Sequence, residues 1–342
     1  MNDLPAPFEM GSWFHLMEEF PTSSHSLFRD AKLFRSGRDA LRSIVTAAPR
    51  KIRRVHVPTY FCHDVTEHIR SEFDICLYSD APFLPSFNLE IDDDELAVVV
   101  EYFGNPAHPV VTGGLVALDR TMAPWADHRY QRNPDAVFGS LRKTVPLPDG
   151  GYAVTNQSTI GVLPEAGPSD KHETAVAQVL KAMASKSKFL AGESIDKSEF
   201  LDVLASWDHR ILASGHCGIS KYSKRIVHDL DLEWFASARR TNLNFLKHLH
   251  PDAWSGTRWT PAESHAVLMC SSSSLRNQLR STLAAISVYT PLFWALPAWI
   301  EDSQARDVAD SLLVLHIDHR YGIDHLHRLA LVLDHVSLRH HA

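Results

Sequence analysis

Short apolar runs alternate with helix-like segments through the first half of the chain, and this alternation limits the possible folds more than any other feature. Residues 96–103 (LAVVVEYF) are almost continuously apolar, as expected of a parallel strand buried on both faces. Residues 62–73 place Val65, Ile69 and Phe73 at helical spacing. Further strand-like runs lie at 53–60, 75–79, 114–119, 135–141 and 150–156. The pattern predicts an open α/β sheet covered by helices.

The second half of the chain has a different pattern. Residues 172–190 and 232–249 have helical periodicity, and the second of these helices is long enough to contact two domains. Strand-like runs at 265–270 and 312–317 then mix with helical runs at 275–285 and 324–336. The 342 residues exceed what one small core usually serves. We therefore expect a large α/β domain followed by a compact α+β domain.

Composition restricts the environment and the partners. The net charge is −7, whereas a nucleic-acid-binding protein needs a concentrated positive field, so we expect no nucleic-acid partner. Residues 284–300 are uncharged but short and broken by two prolines, which favours a buried strand and loop over a membrane span. The N-terminus has no apolar signal segment, which indicates a cytoplasmic protein. Four scattered cysteines fit that reducing compartment: Cys62, Cys76, Cys217 and Cys270.

Three features lie where ligands bind in an α/β sheet, at the ends of strands. The segment 36–41 (SGRDAL) opens a helix, where Gly37 would let a phosphate approach the backbone, although a plain helix cap is the commoner use of such a turn. Asp119 ends a buried strand and faces either a ligand or a loop. Lys143 follows another strand, and is either a surface residue or, if partly desolvated, a nucleophile for a carbonyl.

Taken together, these features follow the order of parts that a pyridoxal-phosphate site needs. A helix N-terminus binds the phosphate, and an aspartate keeps the pyridine nitrogen protonated. A lysine forms a Schiff base with the aldehyde and moves protons. The sequence therefore predicts pyridoxal 5′-phosphate as cofactor, with Asp119 and Lys143 as the catalytic residues.

Eight segments, in the same order along the chain, resemble the DegT/DnrJ/EryC1/StrS family of fold-type-I pyridoxal-phosphate-dependent aminotransferases, in particular a branch found among polysaccharide-biosynthesis proteins. The most specific is 139–156 (GSLRKTVPLPDGGYAVTN). The others are 36–41, 57–65, 100–106, 116–121, 238–246, 288–297 and 317–326. The resemblance implies a mainly parallel seven-stranded sheet between helices and a small α+β C-terminal domain. With the change of pattern along the chain, it suggests domains at 1–230 and 231–342.

The resemblance also implies roles for individual residues. Lys143 corresponds to the Schiff-base lysine and Asp119 to the pyridinium partner. Gly37 and Arg38 correspond to the phosphate-binding backbone, and Ser140 to a further phosphate contact. An aromatic residue of the pair Tyr60–Phe61 is expected to stack on the ring, although counting from Pro58 places Cys62 at that position.

Two departures from the family pattern affect the expected reaction. Met122 stands where the family commonly has His or Gln, and its thioether cannot donate a hydrogen bond. Arg38 replaces a threonine, so a phosphate-binding hydroxyl is exchanged for a guanidinium. The resemblance implies an aminotransferase that moves an amino group from an amino acid to a nucleotide-linked keto-sugar, within a homodimer whose active site lies at the subunit interface. The alternative is a family member with another reaction, such as dehydration, or a catalytically lapsed binding or regulatory protein.

Charged residues elsewhere leave further alternatives open. Arg239 and Arg240 lie on the helix at 232–249 and either pair with its acidic start or bind an anionic substrate. Together with Arg38 and Arg142 they are the expected source of positive charge for a nucleotide. His325 and His327 lie on different faces of a helix, so we expect surface histidines there and no metal site. The same expectation holds for the other histidines that crowd the C-terminal end: His316, His319, His340 and His341.

Overall fold

The computed structural model describes residues 8–127, 130, 133–211 and 217–338. Twelve strands are present among them: β1 Lys32–Phe34, β2 Arg54–Pro58, β3 Asp74–Tyr78, β4 Phe87–Glu90, β5 Glu95–Val100, β6 Pro109–Thr112, β7 Leu115–Asp119, β8 Ala136–Ser140, β9 Gly151–Thr155, β10 Thr257–Trp259, β11 Ala266–Cys270 and β12 Leu312–Leu315. The helices are α1 Gly37–Thr46, α2 His63–Arg70, α3 Asp170–Leu190, α4 Ser198–Arg210, α5 Lys221–Val227, α6 Leu232–Leu249, α7 Ser273–Ala285, α8 Ser303–Ser311 and α9 Ile323–Leu338.

Seven strands form the central sheet in the order β1-β9-β8-β7-β5-β2-β3. The five strands from β8 to β3 are mutually parallel, and β9 runs antiparallel to both of its neighbours. All six residues of β5 are buried, which agrees with the expectation for the apolar run at 96–103. The structure thus confirms the predicted mainly parallel seven-stranded sheet between helices.

Glycine at position 151 lets β9 approach the start of α1 closely. A Cβ atom built on Gly151 would lie 2.2 Å from the carbonyl carbon of Ser36, a distance that no side chain tolerates. Gly37 also packs closely against Gly139: a Cβ atom built on Gly37 would make a tight contact of 3.2 Å with the carbonyl of Gly139. These small residues bring the N-terminus of α1 against the ends of β8 and β9.

A second, three-stranded antiparallel sheet is formed by β10, β11 and β12. Because successive side chains of a strand point to opposite faces, this sheet contributes to two cores. Val267 and Val314 pack into the core of the large sheet. Leu268 and Leu313 pack on the other face, in a cluster that also contains residues of α6, α7 and α9. The two parts of the chain therefore share buried surface.

Helix α6 contacts both parts. Asp231 caps its N-terminus by accepting hydrogen bonds from the backbone N–H groups of Glu233 and Trp234. Phe235 packs in a cluster built mainly from the first half of the chain, whereas Leu246 packs in the cluster of the three-stranded sheet. Whether the domain boundary falls at residue 230 stays a prediction.

Some elements differ from the sequence-based expectations. Residues 284–300 contain no regular strand: they comprise the end of α7, a single bridge from Val288 to Met10, and a loop. The predicted buried strand there is wrong, because Pro291 and Pro297 cannot donate ladder hydrogen bonds. The small parallel sheet of β4 and β6 was not anticipated, nor were β1, α4 and α5. Within the described part of the chain, no helix is long and apolar enough to cross a membrane.

Candidate active site

A cavity of about 380 Å³ opens at the carboxyl ends of the parallel strands, where ligands bind in open α/β sheets. Its walls come from the junctions after β1, β2, β7 and β8, and from two segments of the second half of the chain. The lining residues used below are Gly37, Arg38, Phe61, Cys62, Asp119, Met122, Ser140, Lys143, His265, Phe293 and Trp294. The cavity therefore brings together every catalytic and cofactor-binding residue expected from the sequence except Tyr60.

The N-terminus of α1 forms one wall. The Ser36 side chain caps the helix by accepting a hydrogen bond from the backbone N–H of Asp39. Asp39 is in turn held by Arg35 through two hydrogen bonds of 3.0 and 2.8 Å, with both side chains buried. This pair neutralises the carboxylate beneath the helix start, so the wall keeps the positive end of the helix dipole and the Arg38 side chain. Both uses of the turn considered from the sequence, cap and anion cradle, are compatible with this geometry.

Asp119 is buried at the end of β7. Its Oδ1 accepts a hydrogen bond of 2.7 Å from the backbone N–H of Thr121. Burial raises the pKa of the Asp119 carboxyl to about 6, although hydrogen bonds from Thr121 act in the opposite direction. The Thr121 hydroxyl also accepts a hydrogen bond of 3.1 Å from the backbone N–H of Ser140, which joins the ends of β7 and β8. Sequence reasoning did not identify Thr121.

Lys143 ends a short 3-10 turn, Leu141–Lys143, directly after β8. Lys143 is exposed to solvent in the single chain. The partial desolvation of its amine, one of the two alternatives left open by the sequence, is therefore not found there. Lys143 nevertheless borders the cavity and acts electrostatically on the nearby thiol of Cys62. Burial raises the pKa of that thiol, whereas the ammonium of Lys143 acts to lower it.

The junction between β2 and α2 supplies the aromatic wall. Phe61 and Cys62 line the cavity, whereas Tyr60 is fully buried behind them and packs edge-on against Tyr102 and Trp294. Tyr60 is therefore not placed to stack on a bound ring, because the cavity does not reach it. Position 62, which counting from Pro58 indicated, does face the cavity.

The second half of the chain supplies wall residues that sequence reasoning did not single out. Phe293 and Trp294 come from the loop after α7, and His265 comes from the residue before β11. The loop lies in segment 288–297, and the resemblance of that segment to the family was the only sequence feature that pointed to it. No sequence feature pointed to His265, since a single histidine before a strand is most often structural.

Met122 and the arginines take different positions. Met122 lines the cavity, and its sulfur lies 3.1 Å from the backbone nitrogen of Phe103. Arg142 borders the cavity, but Arg239 does not: its guanidinium is buried and donates a hydrogen bond of 2.7 Å to the carbonyl of Thr144. Arg240 pairs with Glu233 at the start of α6. The anion-binding alternative for Arg239 and Arg240 therefore finds no support in this cavity.

The expectation that the C-terminal histidines lie on the surface is wrong for two of them. His316 and His319 expose only 17% and 9% of their side chains. Aromatic packing accounts for this burial, since the ring of His319 lies 4.8 Å from the ring of Phe235. His327 is exposed as predicted, and the predictions for His340 and His341 lie outside the described residues.

No family model and no curated protein matches the sequence. Solved structures match over most of the chain. The PLP form of Spr1654 from Streptococcus pneumoniae has a TM-score of 0.53 at 11% identity, covering 90% of this chain and 87% of that one. The sugar aminotransferase CalS13 from Micromonospora echinospora has a TM-score of 0.53 at 14% identity, covering 90% and 87%. DesI, solved with its TDP-sugar product, has a TM-score of 0.52 at 13% identity, covering 91% and 83%. The chain therefore has the fold-type-I architecture of pyridoxal-phosphate-dependent sugar aminotransferases.

Proposed function

We propose that the protein is a pyridoxal-phosphate-dependent aminotransferase that transfers an amino group from an amino acid to a keto-sugar. The observation that carries this proposal is the convergence of Lys143, Asp119 and the N-terminus of α1 on one cavity. These three groups are far apart in the sequence and differ in charge and type, so a surface lysine or a plain helix cap does not explain their meeting.

The residues present fit this cofactor. The start of α1 borders the cavity through Gly37, so backbone N–H groups at this helix end can meet a phosphate, and Arg38 adds a positive charge there. Asp119 is buried and oriented by a hydrogen bond from Thr121, so it can hold a cationic ring nitrogen. When bound, the cofactor would supply the electron sink for removing a proton next to the amino group. The amine of Lys143 would bind the aldehyde carbon and carry that proton.

The charge of the cavity supports an anionic substrate, despite the net charge of −7 of the whole chain. Arg38, Arg142 and Lys143 line the cavity together with only two carboxylates, Asp64 and Asp119. With Arg38 and Lys143 assigned to the cofactor, Arg142 is the lining cation that remains for a phosphate of a nucleotide-linked keto-sugar, whose carbonyl would accept the amino group. DesI, which has the same fold, was solved with a TDP-sugar product. The acceptor we propose is therefore a nucleotide-linked keto-sugar in polysaccharide or secondary-metabolite biosynthesis.

We also propose that the protein works as a cytoplasmic homodimer with the second copy covering the cavity. Large apolar side chains are exposed on the loop that lines the cavity: Leu292 is 42% and Trp299 is 48% exposed. Such side chains beside an active site are typical of a protein interface. The solution mass, measured by light scattering, is expected to be twice the chain mass of 38.4 kDa.

Cofactor loading tests the proposal. The purified protein mixed with pyridoxal phosphate is expected to absorb in the visible yellow region, and borohydride reduction to attach the cofactor covalently to Lys143, as peptide mass spectrometry would show. Lys143→Ala is expected to abolish both signals, because the amine is lost. Lys171→Ala, an exposed lysine in the first turn of α3, is the matched control. A wild-type protein that takes up no pyridoxal phosphate contradicts the proposal.

A single-turnover reaction separates amino transfer from the other reactions of this fold. With glutamate and no acceptor, an aminotransferase converts its bound cofactor to pyridoxamine phosphate, which absorbs at shorter wavelength. A protein that binds the cofactor but converts it with none of the twenty amino acids would instead be a binding or regulatory protein, or an enzyme with another reaction.

A further inference from the structure

His265 is a cavity residue contributed by the second half of the chain. It lies directly before β11 and is only 5% exposed, yet it lines the same cavity as Lys143 and Asp119. It therefore reaches that cavity from the three-stranded sheet, whereas Lys143 and Asp119 follow strands of the large sheet. We assign His265 no role in binding the cofactor, because residues that follow β1, β7 and β8 supply the groups that would bind it.

The ring of His265 is held in one orientation. Its Nδ1 lies 2.9 Å from the hydroxyl of Ser264, which is itself buried. Three aromatic rings surround it, those of Phe103, Phe293 and His316, with centroid distances of 6.2, 5.2 and 5.5 Å. A buried ring with these neighbours has little rotational freedom, so its second nitrogen has a fixed direction.

The second nitrogen, Nε2, remains for a ligand. Among the described residues, the hydrogen bond to Ser264 is the only one that the ring makes. Nε2 makes no hydrogen bond to any described residue, and His265 is one of the residues that line the cavity. A buried polar atom without a protein partner is costly unless water or a ligand satisfies it.

The environment keeps the ring uncharged. Burial is the main cause that holds the pKa of His265 well below its usual range, and the cationic side chains of Arg239 and Arg320 act in the same direction, although Asp318 opposes them. A neutral imidazole offers a hydrogen bond without a charge, which suits a hydroxyl group better than a phosphate or a carboxylate.

We propose that His265 binds a hydroxyl group of the sugar through Nε2 and thereby determines which keto-sugar the enzyme accepts. This inference rests on the proposed function and adds a specificity-determining residue to it. Sites that hydrogen-bond a substrate hydroxyl discriminate strongly against analogues without it, because the buried partner is then left unpaired. The amino acid donor, which carries no sugar hydroxyl, should not depend on His265.

Separating the two half-reactions tests the inference. The wild-type protein, loaded with pyridoxamine phosphate, is mixed with a panel of keto-hexoses, free and linked to UDP, dTDP or GDP, and the acceptor with the highest kcat/KM is kept. We expect His265→Leu to lower kcat/KM for that sugar by about 100-fold and to leave the glutamate half-reaction within about twofold. Calorimetry on the cofactor-free variant is expected to show a similarly weakened affinity for the sugar.

Further variants exclude a loss of folding. His265→Gln keeps a hydrogen-bonding side chain and should recover at least about tenfold of the loss. His250→Gln, a change at a half-buried histidine at the end of α6 that neither lines the cavity nor contacts His265, should leave both half-reactions unchanged. Equal losses in both half-reactions, or an unchanged sugar half-reaction in His265→Leu, would overturn the inference. If instead the wild-type protein aminates no member of the panel, the proposed substrate class fails, and the inference with it.

Discussion

Asp119 shows how a single buried carboxyl responds to what occupies the cavity. In the protein alone, burial raises its pKa to about 6, so near neutral pH the group is close to its titration range. A cation placed beside it would favour the carboxylate and lower this pKa. Binding of a ring with a protonated nitrogen is therefore coupled to release of a proton from Asp119 at pH values below about 6.

Asp119→Asn is expected to weaken pyridoxal phosphate binding and to slow the glutamate half-reaction by about 100-fold, since the neutral amide cannot hold the cationic nitrogen. In the wild type the affinity should fall as the pH falls below 6, because the carboxyl becomes protonated. The variant should lack that part of the dependence. Absorbance titrations between pH 5 and pH 8 measure both effects.

A matched control is Asp135→Asn, which alters another buried carboxyl, at the opposite end of β8, whose Oδ2 accepts a hydrogen bond from Val116 N–H. This change should leave the pH dependence of cofactor binding as in the wild type. The assignment of Asp119 would be wrong if its own variant kept that dependence and the full affinity.

Individual site residues differ in how far the sequence could identify them. Asp119 and Lys143 end apolar runs at predicted strand ends, so their meeting at one edge of the sheet follows from topology. Thr121 and His265 could not be found this way. Thr121 acts through its backbone N–H and hydroxyl, and His265 reaches the cavity from a sheet more than 100 residues later in the chain.

At the scale of elements, one arginine joins helix α6 to the turn that carries Lys143. Arg239 donates hydrogen bonds to the carbonyl of Phe235 on its own helix and to the carbonyl of Thr144, next to Lys143. Its guanidinium also lies over the ring of Trp125, at 4.9 Å from the centroid. The turn after β8 is thereby fixed from the second half of the chain, so the position of the lysine depends on α6.

Arg239→Gln is expected to free the Thr144 carbonyl and to let the lysine turn move. The rate of borohydride attachment of pyridoxal phosphate to Lys143 should fall by about tenfold or more, because misplacing a reacting group by about 1 Å is costly. Arg239→Lys keeps the charge and should recover part of the rate. Arg240→Gln removes only an exposed ion pair and should change nothing. Equal labelling rates in all three variants would contradict the conclusion that Arg239 fixes the position of the turn that carries Lys143.

Whole elements were predictable to the extent that their pattern was local. β5 is continuously apolar, and α6 has helical periodicity, so both were expected within a few residues of their ends. The loop after α7 was misjudged because an uncharged run with two prolines gives no period that separates strand from loop. Its place at the cavity depends on contacts between both halves of the chain, which no local pattern contains.

At the scale of the molecule, buried ionisable groups gather where the N-terminal segment meets the C-terminal part. Arg320 binds Asp318 through hydrogen bonds of 2.7 and 2.8 Å and also contacts the carbonyls of residues 11–13. Burial, assisted by Arg320, lowers the pKa of His316 to about 4 and that of His319 to about 3. Both histidines are therefore neutral in the folded protein and gain a proton on unfolding in mild acid.

This difference predicts a loss of stability in mild acid. The folded pKa values lie below the usual value near 6.5, so the unfolded chain binds more protons below pH 6.5 and the folded state loses stability as the pH falls. At pH 5.5 each of the two histidines should cost about 1 kcal/mol relative to pH 7.5. Asp119, whose folded pKa is raised to about 6, acts in the opposite direction and offsets part of this loss.

Urea unfolding of the cofactor-free protein at pH 7.5, 6.5 and 5.5 measures the effect. The unfolding free energy should fall mainly below pH 6.5, and His316→Gln and His319→Gln should each flatten that fall, since glutamine binds no proton in either state. His228→Gln, which alters a histidine with 64% of its side chain exposed, should leave the curve unchanged. A fall of equal size in the double variant His316→Gln/His319→Gln would show that other groups govern the acid sensitivity of the molecule.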